Sequence, residues 1–415
     1  MITVIKRSGL KTEFDENKII LAISKAYEGE EAPKYVFSIV KKIKDYAKKN
    51  DNILNVEDIQ NLIEVNLMKR DRKTAREFIR YRYKREVARK SSTTFIDAIA
   101  EKLMAKNVEN SNANVDEHSF GGRVGEASNE MMKQYALDYC MSKLSRDNHL
   151  NNEIYIHDLS AYAVGMHNCL SMPLDDLLAK GFNTRQVDIR PAGSINTAFQ
   201  LVAVLFQLQS LMQFGGVSAT HLDWTMVPYV RKSFTKHFLD GVKYFSNNGV
   251  LYDKEELYDT SIDSPLYLEQ PNAYKYAMEM TEKELNQAVE GLYHNLNSLQ
   301  SRSGNQLPFS SINYGTCTLS EGRMVTKALL EGSIKGVGKF HRTSVFPCGI
   351  FQCMKGVNQE PNEPNYDLFR LALKSTAQRL YPNYVNCDWS GNAGYDRNDP
   401  KTFMSTMGKC KLQLM

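Results

Sequence analysis

The chain is sparing with cysteine and spreads it without pattern. Its seven cysteines, Cys140, Cys169, Cys317, Cys348, Cys353, Cys387 and Cys410, form no C-x-x-C pair, and only Cys348 and Cys353 lie close together. An odd count at irregular spacing argues against a disulfide framework and against a four-cysteine zinc site. Most of them are expected as small buried hydrophobes. A run of about eighteen apolar residues is lacking, which argues against a membrane span. Internal repeats and low-complexity tracts are absent too. The opening MITVIKRSG has neither the apolar stretch nor the small-residue cleavage site of a secretory signal, so a cytoplasmic location is expected.

What is present fits a globular protein, with 42% hydrophobic and 24% charged residues. A chain of 415 residues exceeds one ordinary core, so two domains are expected. The net charge of +4 conceals an asymmetry. Residues 1–90 carry 22 Lys and Arg against 14 Asp and Glu, while the remainder carries 30 against 34. Lys69 to Lys90 alone holds eleven basic and three acidic residues. Such a stretch is either a solvated helix face or a surface that favours an anionic ligand.

The first ninety residues read as a hairpin followed by four helices. Thr3 to Lys6 and Lys11 to Phe14 are the strands, and Arg7-Ser8-Gly9 is the turn. Asp15 caps a helix to about Tyr27. Helical spacing recurs over Tyr35 to Ala47, Val56 to Met68 and Ala75 to Val87. Ser91 to Thr94 breaks the rhythm and is taken as the domain boundary. Beyond it, helices are expected at about 95–106, 125–145, 193–213, 221–247 and 272–301. Strands are expected near 154–157, 309–314 and 345–353. That alternation predicts an α/β domain with largely parallel strands.

Four places carry candidate chemistry. Lys6 and Arg7 in the hairpin, with Lys18 one turn into the first helix, put three cations around a helix N-terminus, where N–H groups and the dipole favour a polyphosphate. Ordinary surface lysines on a hairpin would give the same charges. Cys169 follows Asn168 and lies shortly after the His157-Asp158 pair, a polar setting for a core thiol. Ser194, with Gly193, opens a long helix and can either cap it or help to hold phosphates. Finally, Ser301 to Thr316 (SRSGNQLPFSSINYGT) reads as a helix end, a Gly304-Asn305 break, Pro308, and a strand from Phe309 to Tyr314. Its polar and apolar residues interleave, as in a barrel strand facing a pocket or in a half-exposed edge strand.

That string resembles a signature of the anaerobic (class III) ribonucleoside-triphosphate reductases, a glycyl-radical enzyme family. Other segments are similar in the expected order: Asn112 to Asp116, Ser119 to Arg123, Ile154 to Asp158, His167 to Leu170, Ala192 to Ile195, Gln213 to Gly216, Asn365 to Asp367 and Arg379 to Pro382. Residues 1–90 resemble the ATP-cone, an allosteric nucleotide-binding domain, through Val4 to Gly9, Phe14 to Ile19, Val56 to Ile59 and Ala75 to Arg82. Ser8 stands where that family usually has Asp. The resemblance implies a small α+β ATP-cone followed, over residues 95–408, by part of a glycyl-radical-enzyme-type α/β barrel.

It further implies anaerobic reduction of ribonucleoside triphosphates to deoxyribonucleotides for DNA synthesis, under ATP/dATP control. Cys169 would sit beneath the ribose and help to reduce the 2′-carbon, with His157 and Asn168 close to the substrate. Formate would be the reductant. A separate radical activase, using S-adenosylmethionine and an iron–sulfur cluster, would be a partner, and a homodimer or higher oligomer is implied. Neither nucleic acid nor membrane is expected as a partner.

The resemblance fails at the end of the chain. The family places its radical-forming cysteine in a Met-Gly-Cys-Arg context, whereas this chain reads Met407-Gly408-Lys409-Cys410-Lys411. Cys410 is therefore a candidate displaced by one residue, and 409–415 is read as an off-pattern tail. The family's zinc site and radical glycine lie beyond this point, so the chain is expected to lack a C-terminal third. The alternative function is a catalytically incomplete nucleotide-binding or regulatory chain that needs a complementing segment.

Overall fold

A computed structural model describes residues 2–6, 11–27, 33–92, 99, 103, 119–165, 168–245, 252–302, 306–388 and 394–407. The chain divides into two compact units, Met1–Ala100 and Glu101–Met415.

In the first unit, β1 (Thr3–Ile5) pairs antiparallel with β2 (Lys11–Glu13) and parallel with β3 (Ile53–Asn55). The sheet therefore has three strands in the order β2-β1-β3 rather than the two of a hairpin. β3 is only three residues long and runs directly into the helix Val56–Arg70, so its period was too short to read. The other helices are Glu16–Ser24, Val36–Lys48 and Arg72–Ser92. Asp15 caps the first, its Oδ1 accepting the Asn17 N–H at 3.0 Å. The last helix runs through Ser91 and Ser92, which do not break it. Val36, Ile39, Val40, Ile43 and Ala47 form one helical stripe. They meet Ile23, Leu54, Ile63, Leu67 and Phe78 in a single core.

The second unit is built on β4 (Leu170–Ser171), a small antiparallel pair β5 (Phe182–Asn183) and β6 (Asp188–Ile189), then β7 (Val217–Ala219), β8 (Ser310–Tyr314), β9 (Cys348–Cys353) and β10 (Asn383–Asn386). Five of these make one parallel sheet in the order β10-β9-β8-β7-β4, with Leu170 opposite Val217, Val217 opposite Ser310 and Ser311 opposite Cys348. Spatial order follows chain order without reversal. Right-handed crossovers in a sheet that advances one way put the connecting helices on one face, the winding that barrels use. Val217, Ile312, Tyr314 and Phe351 accordingly join the core with Phe199, Phe206, Leu292 and Leu329 from those helices.

The opposite face is polar and is crossed by residues 403–407. Asn313 Nδ2 donates to the Ala219 carbonyl (2.9 Å) and the Thr406 carbonyl (3.0 Å), and its Oδ1 accepts the Thr406 N–H at 3.1 Å. Gln352 Nε2 donates to the Met404 carbonyl at 2.9 Å. Two buried amides thus hold the backbone of the late chain against the sheet.

Three expectations change here. Residues 154–157 form no strand: Tyr155 is exposed, His149 Nδ1 accepts the Ile156 N–H, and Asp158 turns the chain with φ 55°. The helix expected at 125–145 is Phe120–Tyr135, a π-helical turn Ala136–Cys140 and a separate helix Lys143–Leu150 capped by Ser142. The helix Ile195–Met212 is long and apolar enough to cross a membrane, because its interruptions are uncharged Asn, Thr, Gln and Ser. Half of it is buried inside the unit, the position of a core helix. The helix expected at 95–106 lies almost wholly outside the described residues.

Candidate functional site

A pocket of about 220 Å³ in the first unit is lined by Lys6, Asp15 and Lys18, with Val4, Ile19, Ile59, Ile63 and Phe78 among its apolar walls. Its rim is charged and its floor apolar, as a base-plus-phosphate ligand needs. Lys18 Nζ stands 3.8 Å from Asp15 and both are largely exposed, so the pair leaves the ammonium available. Arg7 lies outside the described residues.

The second site is a cleft of about 440 Å³ at the N-terminal ends of β4, β7 and β8. His157, Asn168 and Cys169 all line it, although His157 is separated from the other two by a turn. Helix Phe120–Tyr135 adds Glu126, Asn129 and Lys133. Cys169 immediately precedes β4, and its Sγ accepts the Gly216 N–H at 3.4 Å while lying 3.7 Å from Asn168 Oδ1. Gly215 makes that approach possible, since a Cβ there would fall 1.8 Å from the Asn168 carbonyl oxygen. Met407 Sδ reaches within 3.9 Å of the Cβ position of Gly216, so residues 403–407 lead towards the cleft. Cys410 itself lies outside the described residues. His157 Nδ1 stands 2.6 Å from Asp158 Oδ2, with the imidazole largely exposed.

Arg302 and Gln306 were not singled out from the sequence, though both sit in the Ser301 to Thr316 string. Arg302 is 6% exposed and its guanidinium packs between the Phe214 and Phe309 rings, 5.0 and 3.8 Å from their centroids. Nη2 donates to the Phe214 carbonyl, whereas Nη1 has no partner among the described residues. Burial pulls the guanidinium down to about 10, against the opposing pull of Asp158 and Cys169. Gln306 Oε1 is likewise buried without a partner among them. The signal for both was available as a cation and an amide flanking a chain break at the mouth of a strand.

Ser194 is not brought to this cleft. It caps Ile195–Met212 at the far end of an 18-residue helix, ~27 Å from the turn that leads into β7. That N-terminus is also satisfied from within. Ser233 Oγ accepts the Ile195 N–H at 3.0 Å and donates to Glu284 Oε1 at 3.1 Å, and His237 Nε2 meets Glu284 Oε2 at 2.7 Å. Burial pushes the Glu284 carboxyl up, but these bonds and the Asn196 N–H outweigh it and hold it below its ordinary value. A resident carboxylate at a helix N-terminus disfavours a phosphate there.

The same strand-end holds other satisfied charges. Asp175 meets His221 Nε2 at 2.9 Å and the Thr225 hydroxyl at 2.6 Å. Asp223 is wholly buried and accepts the N–H groups of Gly315, Cys317 and Trp224 at 2.9, 2.9 and 3.1 Å. Among the described residues, no three His, Cys, Asp or Glu side chains gather as metal ligands.

Comparison with known proteins adds independent findings. A family model described as anaerobic ribonucleoside-triphosphate reductase matches residues 111–415, and one described as ATP cone domain matches residues 2–87. An anaerobic ribonucleoside-triphosphate reductase of Haemophilus influenzae is 30% identical over 392 residues, 93% of this chain and 52% of the relative. That of Escherichia coli is 28% identical over 93% of this chain and 51% of its own length, and that of Enterobacteria phage T4 is 28% identical over 68% and 42%. The chain thus spans about half the length of the curated relatives it matches, rather than the two thirds expected. Among solved structures, the anaerobic ribonucleotide reductase of Thermotoga maritima in complex with dATP and CTP has a TM-score of 0.46 at 14% identity, covering 73% of this chain and 49% of that one.

Proposed function

This chain belongs to the anaerobic ribonucleoside-triphosphate reductase family, and from that premise we propose that it carries the ATP-controlled regulatory site and one wall of the reduction site of an enzyme that makes deoxyribonucleotides in the cytoplasm. The observation that carries the reading is the convergence of Cys169, Asn168 and His157 on one cleft inside the matched region. Cys169 would face the ribose. Its thiol is positioned by the Gly216 N–H and the Asn168 amide oxygen, and it would supply reducing equivalents as the 2′-hydroxyl leaves. His157, paired with Asp158, would hold a proton close to that hydroxyl. Asn168 would orient the sugar. Radical generation falls to a separate S-adenosylmethionine-dependent iron–sulfur activase, with formate as the reductant and a homodimer as the working assembly.

The test measures deoxynucleotide formed under strict anaerobiosis, with activase, S-adenosylmethionine, formate and the C-terminal half of a family reductase supplied. Product is expected from the native chain and none from Cys169→Ser, with Cys140→Ser, at an exposed position, as the control. Undiminished product from Cys169→Ser removes that residue from the mechanism. Nucleotide binding without product from either chain favours the regulatory reading. At the first site, Lys6→Ala is expected to weaken ATP binding about tenfold, the loss of one charge-assisted phosphate contact. Equal affinity by calorimetry would remove Lys6 from that site.

A further inference from the structure

A buried guanidinium that lacks a carboxylate partner is costly, and proteins that retain one have a use for it. In the Cys169 cleft Arg302 is held on both faces by Phe214 and Phe309 and on one edge by the Phe214 carbonyl. Its rotamer is therefore fixed before any ligand arrives. The nearby carboxylate, Asp158, is engaged with His157 rather than with the guanidinium. Among the described residues, Nη1 has no acceptor for its protons. Beside it, the Arg302 N–H meets the Gln306 carbonyl at 3.1 Å, and Gln306, whose Oε1 has no partner among the described residues, lines the same cleft.

We propose that Arg302 is the oxyanion-contacting residue of this cleft: Nη1 takes an oxygen of a phosphate or carboxylate borne by the occupant, while Gln306 Oε1 accepts a hydroxyl or amino proton from it. This rests on the reading of the Cys169 cleft as the substrate site. It goes further by naming the residue that neutralises the occupant's charge. A rigid guanidinium suits a planar or tetrahedral oxyanion better than lysine does.

Alkylation of Cys169 reports on that charge directly. Iodoacetate and iodoacetamide undergo the same displacement, the thiolate sulfur bonding to carbon as iodide leaves, and they differ only in carrying or lacking a carboxylate. Peptide mass spectrometry on the intact chain gives the iodoacetate-to-iodoacetamide rate ratio at Cys169, with exposed Cys140 as internal reference. Relative to Cys140, the native ratio is expected to favour iodoacetate by about tenfold. It should fall to the Cys140 value in Arg302→Gln and recover in part in Arg302→Lys. A ratio unchanged in Arg302→Gln, with Cys140 reactivity unaltered, overturns the proposal.

Protection from iodoacetamide then separates the sources. UTP and tripolyphosphate protecting the native chain but not Arg302→Gln assign a phosphate, with uridine as the neutral control. Acetate protecting where UTP does not keeps the Arg302 assignment and removes the nucleotide reading. UTP protecting both chains equally removes Arg302 and leaves the nucleotide reading standing.

Discussion

The two ends of the parallel sheet treat charge in opposite ways. Beyond the C-terminal ends of β7 and β8, Asp223 accepts three backbone N–H groups, and on the same side Asp175 and Glu284 are each bonded to a histidine and a hydroxyl. At the N-terminal ends, polar groups are left wanting. Of the ten buried side-chain atoms without a partner among the described residues, four fall between Ser301 and Ser310, whereas at the other end Glu321 Oε2 is unpartnered but its Oε1 accepts from Arg231 and the Ile262 N–H. Satisfied networks make a fold rigid, and unsatisfied ones mark where a ligand completes it. The contrast supports the proposed reading of the Cys169 end as the substrate end, and at the other end Ser194 serves as a helix cap.

The comparison can be broken first at its strongest point. Asp223→Ala strands the N–H groups of Gly315, Cys317 and Trp224, and an unsatisfied buried donor costs about 1–3 kcal/mol. An apparent loss of ~3 kcal/mol or more is expected in urea unfolding. A loss below ~1 kcal/mol would mean that the end is not held by its charges.

A smaller effect is expected at Glu284. Its folded carboxyl lies below the unfolded value of 4.5, so its stabilisation is complete above pH 4.5 and is lost as pH falls through the lowered folded value. Glu284→Gln should cost ~2 kcal/mol at neutral pH. It should also flatten the stability–pH curve below 4.5, as read by melting temperature at stepped pH. An unchanged acid limb would contradict the network.

The smallest effect is expected at the opposite end. Arg302→Met replaces an unpaired buried charge by an apolar chain of similar length, and such exchanges are often neutral or stabilising. Lost stacking on Phe309 offsets part of the gain. The net change should stay within ~1 kcal/mol. A loss as large as that of Asp223→Ala would make Arg302 structural.

Much of the fold was legible because its signals are local. Asp15 announces its helix, and the stripe from Val36 to Ala47 shows a buried face. Asn168 and Cys169 were legible as a motif, and the fold brings His157 to them through a turn, where the sequence pattern had suggested a strand. What stayed hidden depends on distant partners. Nothing near Ser194 reveals that Glu284, ninety residues on, already fills its helix N-terminus. Nothing near Asn313 shows that its amide holds Thr406. Arg302 reads as one cation among many until Phe214 and Phe309 close on it.

The most direct test of the two-ended reading is hydrogen–deuterium exchange of the chain with and without UTP. Protection is expected in the backbone around Cys169, Gln213 to Val217 and Gln306 to Ser310. Exchange around Ala192 to Asn196 and Thr220 to Thr225, at the satisfied end, should be unchanged. Protection confined to the satisfied end, with the Cys169 segments unaffected, would contradict it.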